Sequence, residues 1–162
     1  MDAAEIPIPC SLIDEMGKPQ FGIYYRPLKT INLDDFDYRK VAPFPLNLLP
    51  KSSKYAIKRW QFMGFVSDEI VVGMAVVDIS YVCSTFVYAY IRDDNEIKDY
   101  SFLDLSKRHV LFSESSISGI SEYVKGSKSI RMDNSIDFAA RRAQANIQNE
   151  LVVDIEMLEN EF

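Results

Sequence analysis

Apolar and polar residues alternate with the period of a β-strand through most of the chain after Tyr55. Tyr55–Val66, Glu69–Val77, Tyr81–Ile91 and Glu96–Leu105 each read as a strand, separated by the polar turns Ser67-Asp68-Glu69 and Arg92-Asp93-Asp94-Asn95. In the third strand Phe86, Tyr88 and Tyr90 share one face, and Thr85, Val87, Ala89 and Ile91 the other. Apolar residues on both sides predict central strands buried on both faces. Beyond Lys107 the pattern weakens: His109–Phe112 is a short apolar piece, and Ser113–Tyr123 is rich in Ser and Glu. Lys125-Gly126-Ser127 predicts a hairpin turn before Lys128–Met132, and Leu151–Leu158 alternates as a half-buried strand. Phe138–Gln148 is ambiguous, because its Ala, Arg and Gln favour helix while its neighbours alternate like strands.

The first 54 residues are different. All seven prolines, Pro7 to Pro50, fall there. Proline cannot donate to a ladder and interrupts helices, so an irregular arm is expected over 1–54, with a β domain over 55–162. Met16-Gly17-Lys18-Pro19 predicts a turn, Phe21–Tyr25 a short strand and Asp34–Lys40 one helical turn. Phe44, Leu46, Leu48 and Leu49 are expected to cover an open end of the sheet. The pattern as a whole predicts a mainly β fold: an antiparallel barrel or curved sheet with an irregular proline-rich N-terminal arm.

Composition changes this picture little. With 48% hydrophobic and 26% charged residues the chain resembles an ordinary globular domain. The 18 basic and 24 acidic side chains leave a net charge of −6, and Lys and Arg occur at most in pairs, which argues against nucleic acid. The N-terminus has neither a basic start nor an apolar core, so no signal peptide is expected. Cys10 and Cys83 match no metal spacing and are read as reduced, in a cytoplasmic protein. Ile70 to Ile91 has the length of a membrane span, but Asp78 in its middle would cost about 2.5–3.5 kcal/mol there. Two strands joined by a turn near Asp78–Ser80 account for it better, so no span is expected.

Asp78 is the sharpest candidate for chemistry. Inside an apolar run a carboxylate must be hydrogen-bonded, ion-paired or protonated. It could be a general acid for hydration or isomerisation with Tyr81 as assisting donor, or it could cap its own turn, which is the commoner role. Trp60, Tyr88 and Tyr90, with Arg59 beside Trp60, could instead line a pocket for a small apolar or amphipathic molecule. His109 is the sole histidine, and no spacing supports a metal site or a Ser-His-Asp triad. Neither cofactor nor metal is expected.

The Gly17-Lys18-Pro19…Phe21-Gly22 lead-in, Lys58-x-Trp60, and Asp78-x-x-Tyr81 before Phe86-x-Tyr88 carry a resemblance. In their order and spacing, strongest over residues 12–92, they resemble the N-terminal half of the bacterial domain of unknown function 2804 family. That family is distantly similar to the lipocalin-like carotenoid hydratase group, so the resemblance implies a calycin-style barrel and carries no established activity. It also implies a missing C-terminal half, making the chain a truncated or split form. The Leu151–Leu158 strand would then pair with that half, or with a second copy of the chain. Three functions stay open: a binding module for an apolar ligand, a hydratase or isomerase using Asp78, and a structural half awaiting its complement.

Overall fold

A computed structural model describes residues 9–24, 27–40, 57–115, 117–137 and 140–158. Two compact units divide the chain, Met1–Lys54 with Glu114–Ile117, and Tyr55–Ser113 with Ser118–Phe162.

The first unit has no extended strand among its described residues. Asp14 makes the predicted turn by accepting hydrogen bonds at Oδ1 from the backbone N–H groups of Met16 (2.9 Å) and Lys18 (2.8 Å). Gly17, at φ +79°, occupies the left-handed position of that turn. Asp34–Lys40 supplies two short 3-10 turns, Leu33–Asp35 and Tyr38–Lys40, instead of one α-helical turn. Asp37 is buried, and the Arg39 guanidinium beside it (Nε at 2.8 Å) lowers its carboxyl pKa to about 2. Phe21–Tyr24 forms no strand, and isolated bridges link Ser11 to Thr30 and Ile13 to Pro19. Tyr25 and the apolar residues Phe44, Leu46, Leu48 and Leu49 lie outside the described residues.

Among its described residues the second unit has nine antiparallel strands: β1 (Arg59–Val66), β2 (Ile70–Asp78), β3 (Cys83–Ile91), β4 (Glu96–Asp104), β5 (Val110–Leu111), β6 (Ile120–Lys125), β7 (Lys128–Asp137), β8 (Ala140–Ile147) and β9 (Leu151–Leu158). They form two sheets in sequential order, β1-β2-β3-β4 and β5-β6-β7-β8-β9. The sheets are not closed into a barrel, which corrects the barrel expectation. Burial on both sides of β2 and β3 has another cause. One side, the inner face, packs on the second sheet, and aromatic side chains of the first sheet pave the other.

The register shows how. Met63, Met74, Val87 and Tyr100 stand opposite one another across β1–β4, and Tyr123, Ile130, Ala145 and Val153 across β6–β9. Both rows belong to one hydrophobic cluster. The core is filled by Met74, Val76, Val87, Ile130, Met132 and Ala143, all without solvent exposure. Buried Thr85 is satisfied by donating its hydroxyl to the carbonyl of Ala75 at 2.6 Å.

The ambiguous stretch is strand over Ala140–Ile147: β8 alternates buried Ala143, Ala145 and Ile147 with outward Arg142, Gln144 and Asn146, and Phe138 lies outside the described residues. Tertiary pairing overrides the helix preference of its Ala and Arg. β6, hidden in a Ser- and Glu-rich stretch, buries Ser121 and Tyr123 on the same principle. Register between β7 and β8 shifts between Asp133 and Asp137. Among the described residues β9 is an outer strand of its sheet.

A filled interior has a measurable consequence. Met74→Ala should cost about 2–5 kcal/mol, because truncation leaves a cavity that close-packed neighbours cannot collapse into. Val152→Ser, on the exposed side of β9, should change stability by no more than about 0.5 kcal/mol. Equilibrium urea unfolding of the two variants checks this, and near-equal effects would contradict the packing described.

Candidate functional site

Chemically distinct side chains gather at one end of the second unit. The row Arg59, Asp78, Cys83, Asp104 runs across β1–β4 at the last inner-face position of the first sheet. Asp104 is its centre. Nearly buried, it accepts the Nζ of Lys125 at 2.9 Å, the Nδ1 of His109 at 2.6 Å and the backbone N–H of Ser106 at 3.0 Å. Lys125 ends β6, so this contact joins the two sheets. The Lys125 hydrogen bond is the largest cause of a carboxyl held far below the usual carboxylate range, and burial opposes it. Asp104 in turn raises the Lys125 ammonium pKa.

His109 follows Asp104 by five residues, at the end of the 3-10 turn Lys107–His109. Arg108 donates Nε–H to His109 Nε2 at 3.3 Å, which makes Nε2 the acceptor and assigns the ring proton to Nδ1, facing Asp104. The ring meets Tyr123 edge-on, with centroids 6.4 Å apart. Desolvation raises the pKa of both buried neighbours, the Tyr123 phenol and the Cys83 thiol, and Asp104's charge adds to it. Cys83 donates to the Ser106 carbonyl at 3.3 Å. A thiol so placed serves as a small apolar residue and not as a nucleophile. Nothing in Asp104's surroundings leaves the carboxylate open for proton transfer.

Asp78 and Tyr81 belong to one bend, between β2 and β3, with different partners. Asp78 Oδ1 accepts the backbone N–H of Ser80 at 2.6 Å, and its Oδ2 lies 3.2 Å from Lys107 Nζ. Ser80, at φ +81°, is held further by its hydroxyl on the Ile57 carbonyl and by an Ile79 N–H to Val82 carbonyl bond of 3.0 Å. Asp78 therefore caps its own turn. Tyr81 is 61% exposed, with Lys58 Nζ 5.1 Å from its ring centroid.

Trp60, Tyr88 and Tyr90 share the outer face of the first sheet, with Trp60 level with Ser84 at one end and Tyr90 toward the other, whereas Arg59 falls in the inner row. On that outer face Phe62, Ala75 and Phe86 stand opposite one another, as do Gly64, Gly73 and Tyr88. Small residues form the floor and aromatic rings the cover. Phe86 lies 6.4 Å from both the Phe62 and Tyr88 rings, nearly parallel to the latter at 13°. A side chain at Gly73 would meet the Tyr88 ring at 2.4 Å, so glycine is what lets the ring lie flat. Trp60 is 68% exposed and Phe62 46%, with Val66, Ile97 and Leu103 exposed on the same face. The second sheet's outer face carries the ion pairs Arg131–Glu122 at 3.2 Å and Arg142–Asp154 at 2.6 Å, beside exposed Val124 and Val152.

Among the described residues no group of three His, Cys, Asp or Glu is placed to hold a metal ion, and no helix is long and apolar enough to cross a membrane. Asp104, Lys125 and Tyr123 are not among the site residues expected from the sequence. The available signal was an acid closing an alternating strand five residues before the lone histidine.

These features define a two-sheet antiparallel β protein with an aromatic outer face and a charged end. The chain belongs to the family described as "Domain of unknown function (DUF2804)", whose model matches residues 3–161. No curated protein and no solved structure gives a significant match.

The Asp104 cluster makes a pH prediction. A folded pKa below the unfolded value contributes stability that is fully present above the unfolded pKa, near 4, and is lost as pH falls toward the folded value. The urea-midpoint gap between wild type and Asp104→Asn should therefore be widest near neutral pH and begin to narrow below about pH 4. A gap undiminished at about pH 3 would contradict this account of Asp104.

Proposed function

We propose that the chain is a binding module for a small, largely apolar molecule with one polar end, taken up on the aromatic outer face of the four-stranded sheet. The observation that carries the reading is the contrast between the two outer faces. One carries cross-strand ion pairs, with Val124 and Val152 exposed beside them but no aromatic rings among the described residues. The other keeps Trp60, Phe62, Val66 and Ile97 in solvent around a paved aromatic floor. Exposed contiguous apolar surface of this kind marks ligand and partner sites more often than chance. Tyr88 and Tyr90 add phenols at one side, and the Tyr90 hydroxyl already lies 3.0 Å from Asn95 Oδ1. An interior position for the ligand fits less well, since Met74, Val87, Ile130 and Met132 occupy it.

Trp60, the single tryptophan, reports directly on this face. Titration with cis-parinaric acid should quench Trp60 emission saturably by energy transfer. At roughly 0.3 kcal/mol per heavy atom its affinity should fall near −6 kcal/mol, a Kd of some tens of micromolar. Phe62→Ser should weaken it by about tenfold or more, the loss expected for one removed aromatic contact. Absence of saturable quenching, or indifference to Phe62→Ser, would remove this reading.

A further inference from the structure

We propose that the charged end of the β unit docks on a membrane surface containing anionic phospholipid. This rests on side chains that the aromatic-face reading does not use, apart from Trp60 and Leu103 at the border of the two. In the sequence the cations occur as separate pairs, Lys58-Arg59 and Lys107-Arg108, with Lys125 and Lys128 flanking a hairpin. The fold brings them to one place. Lys58 reaches the Ile79 carbonyl in the β2–β3 bend at 2.7 Å, and Arg59 stands opposite Asp78. Lys107 meets Asp78 at 3.2 Å and Lys125 meets Asp104 at 2.9 Å. Lys128 lies 4.1 Å over the Phe102 ring, two residues before Asp104. Six of the chain's 18 basic residues thus share one end.

Among the described residues the acids there are Asp78 and Asp104, with Glu150 in the β8–β9 turn beside the Lys125–Lys128 hairpin. Both aspartates are turned inward, Asp104 almost fully buried and Asp78 largely so. Among the described residues six cations meet three acids at this end, in a chain whose net charge is −6. Electrostatic attraction to a negative surface would therefore orient the β unit with this end toward it.

Charge alone would equally suit a free phosphate. The apolar residues at the same end decide between them. Leu105, just past β4, is 85% exposed, Leu103 is 70% exposed, and Tyr81 projects from the neighbouring bend. Trp60 and Leu103 share the last row of the outer face, opposite Val77 and Ser84. Exposed leucines contribute nothing to phosphate recognition. Beside lysine and arginine they reproduce the pattern of interfacial binding, with apolar tips entering the headgroup region and cations contacting lipid phosphates. Trp and Tyr are the residues that prefer that depth.

The test is co-sedimentation of the full chain with phosphatidylcholine vesicles, with and without phosphatidylglycerol. Binding is expected only with phosphatidylglycerol, accompanied by a blue shift of Trp60 emission and weakened by salt. At about fivefold per cation, Lys107→Gln/Arg108→Gln should reduce partitioning by about 30-fold. Arg108→Gln/Lys128→Gln provides a second pair should loss of the Lys107–Asp78 contact impair folding. Leu105→Ser should also weaken vesicle binding, and none of these changes should alter cis-parinaric acid titration. No sedimentation with anionic vesicles, equal binding to both lipids, or full binding by the variants would overturn the proposal. So would displacement of the vesicles by a single-stranded oligonucleotide, which would assign the cations to nucleic acid. Failure of parinarate binding with vesicle binding intact would strike only the aromatic-face reading.

Discussion

Everything else in the β unit depends on burying the inner faces of its two sheets against each other. Neither sheet could persist alone with Met74, Val87, Ile130 and Met132 in water, and close packing fixes which residues face outward. Because side chains alternate, choosing Met63, Met74 and Val87 as core commits Phe62, Ala75 and Phe86 to the other side. The aromatic face is thus a direct consequence of the core register. At the end of that register the inner row becomes polar, and Asp104 takes Lys125 from the second sheet, which ties the two sheets where apolar packing stops. A buried carboxylate with three donors is costly to break, so it fixes the geometry of this end.

The strand pattern of the first sheet was readable from the sequence to within two residues at the ends of β2–β4, with β1 starting at Arg59 instead of Tyr55, because the strands are long, apolar and bounded by turns. The second sheet was readable only in part: the hairpin at Lys125–Lys128 and the Leu151–Leu158 strand were visible, and β6 and β8 were not. Ala143 and Ala145 in β8 are chosen for size opposite Met132 and Ile130, and small residues look helical when the opposing side chains are unknown. Ser121 and Tyr123 in β6 are buried in a segment whose composition is that of a loop. Apolar residues on both sides of β2 and β3 suggested a barrel, although one side is covered by Phe62, Phe86 and Tyr88 of the same sheet.

Site residues divide in the same way. Trp60, Tyr88 and Tyr90 share a face, as strand parity requires. Arg59, adjacent to Trp60 in sequence, takes the opposite face for that very reason. Asp78 was visible as an acid in an apolar run, and its partners Ser80 and Lys107 explain its tolerance there. The cations at the charged end could not be seen together, because six residues spread from Lys58 to Lys128 converge only through the two-sheet pairing. Long-range neighbourhood, and not local composition, creates that surface.

The central claim is that the space between the sheets is closed, which leaves the outside of the β unit to do the binding. The two cysteines test it most directly, since Cys10 is exposed and Cys83 has no solvent exposure. In native buffer, pulsed alkylation followed by peptide mass spectrometry should modify Cys10 at once. Cys83 should remain protected until denaturant reaches the unfolding transition. Modification of Cys83 as fast as Cys10 in the native protein would show an open interior and contradict the account.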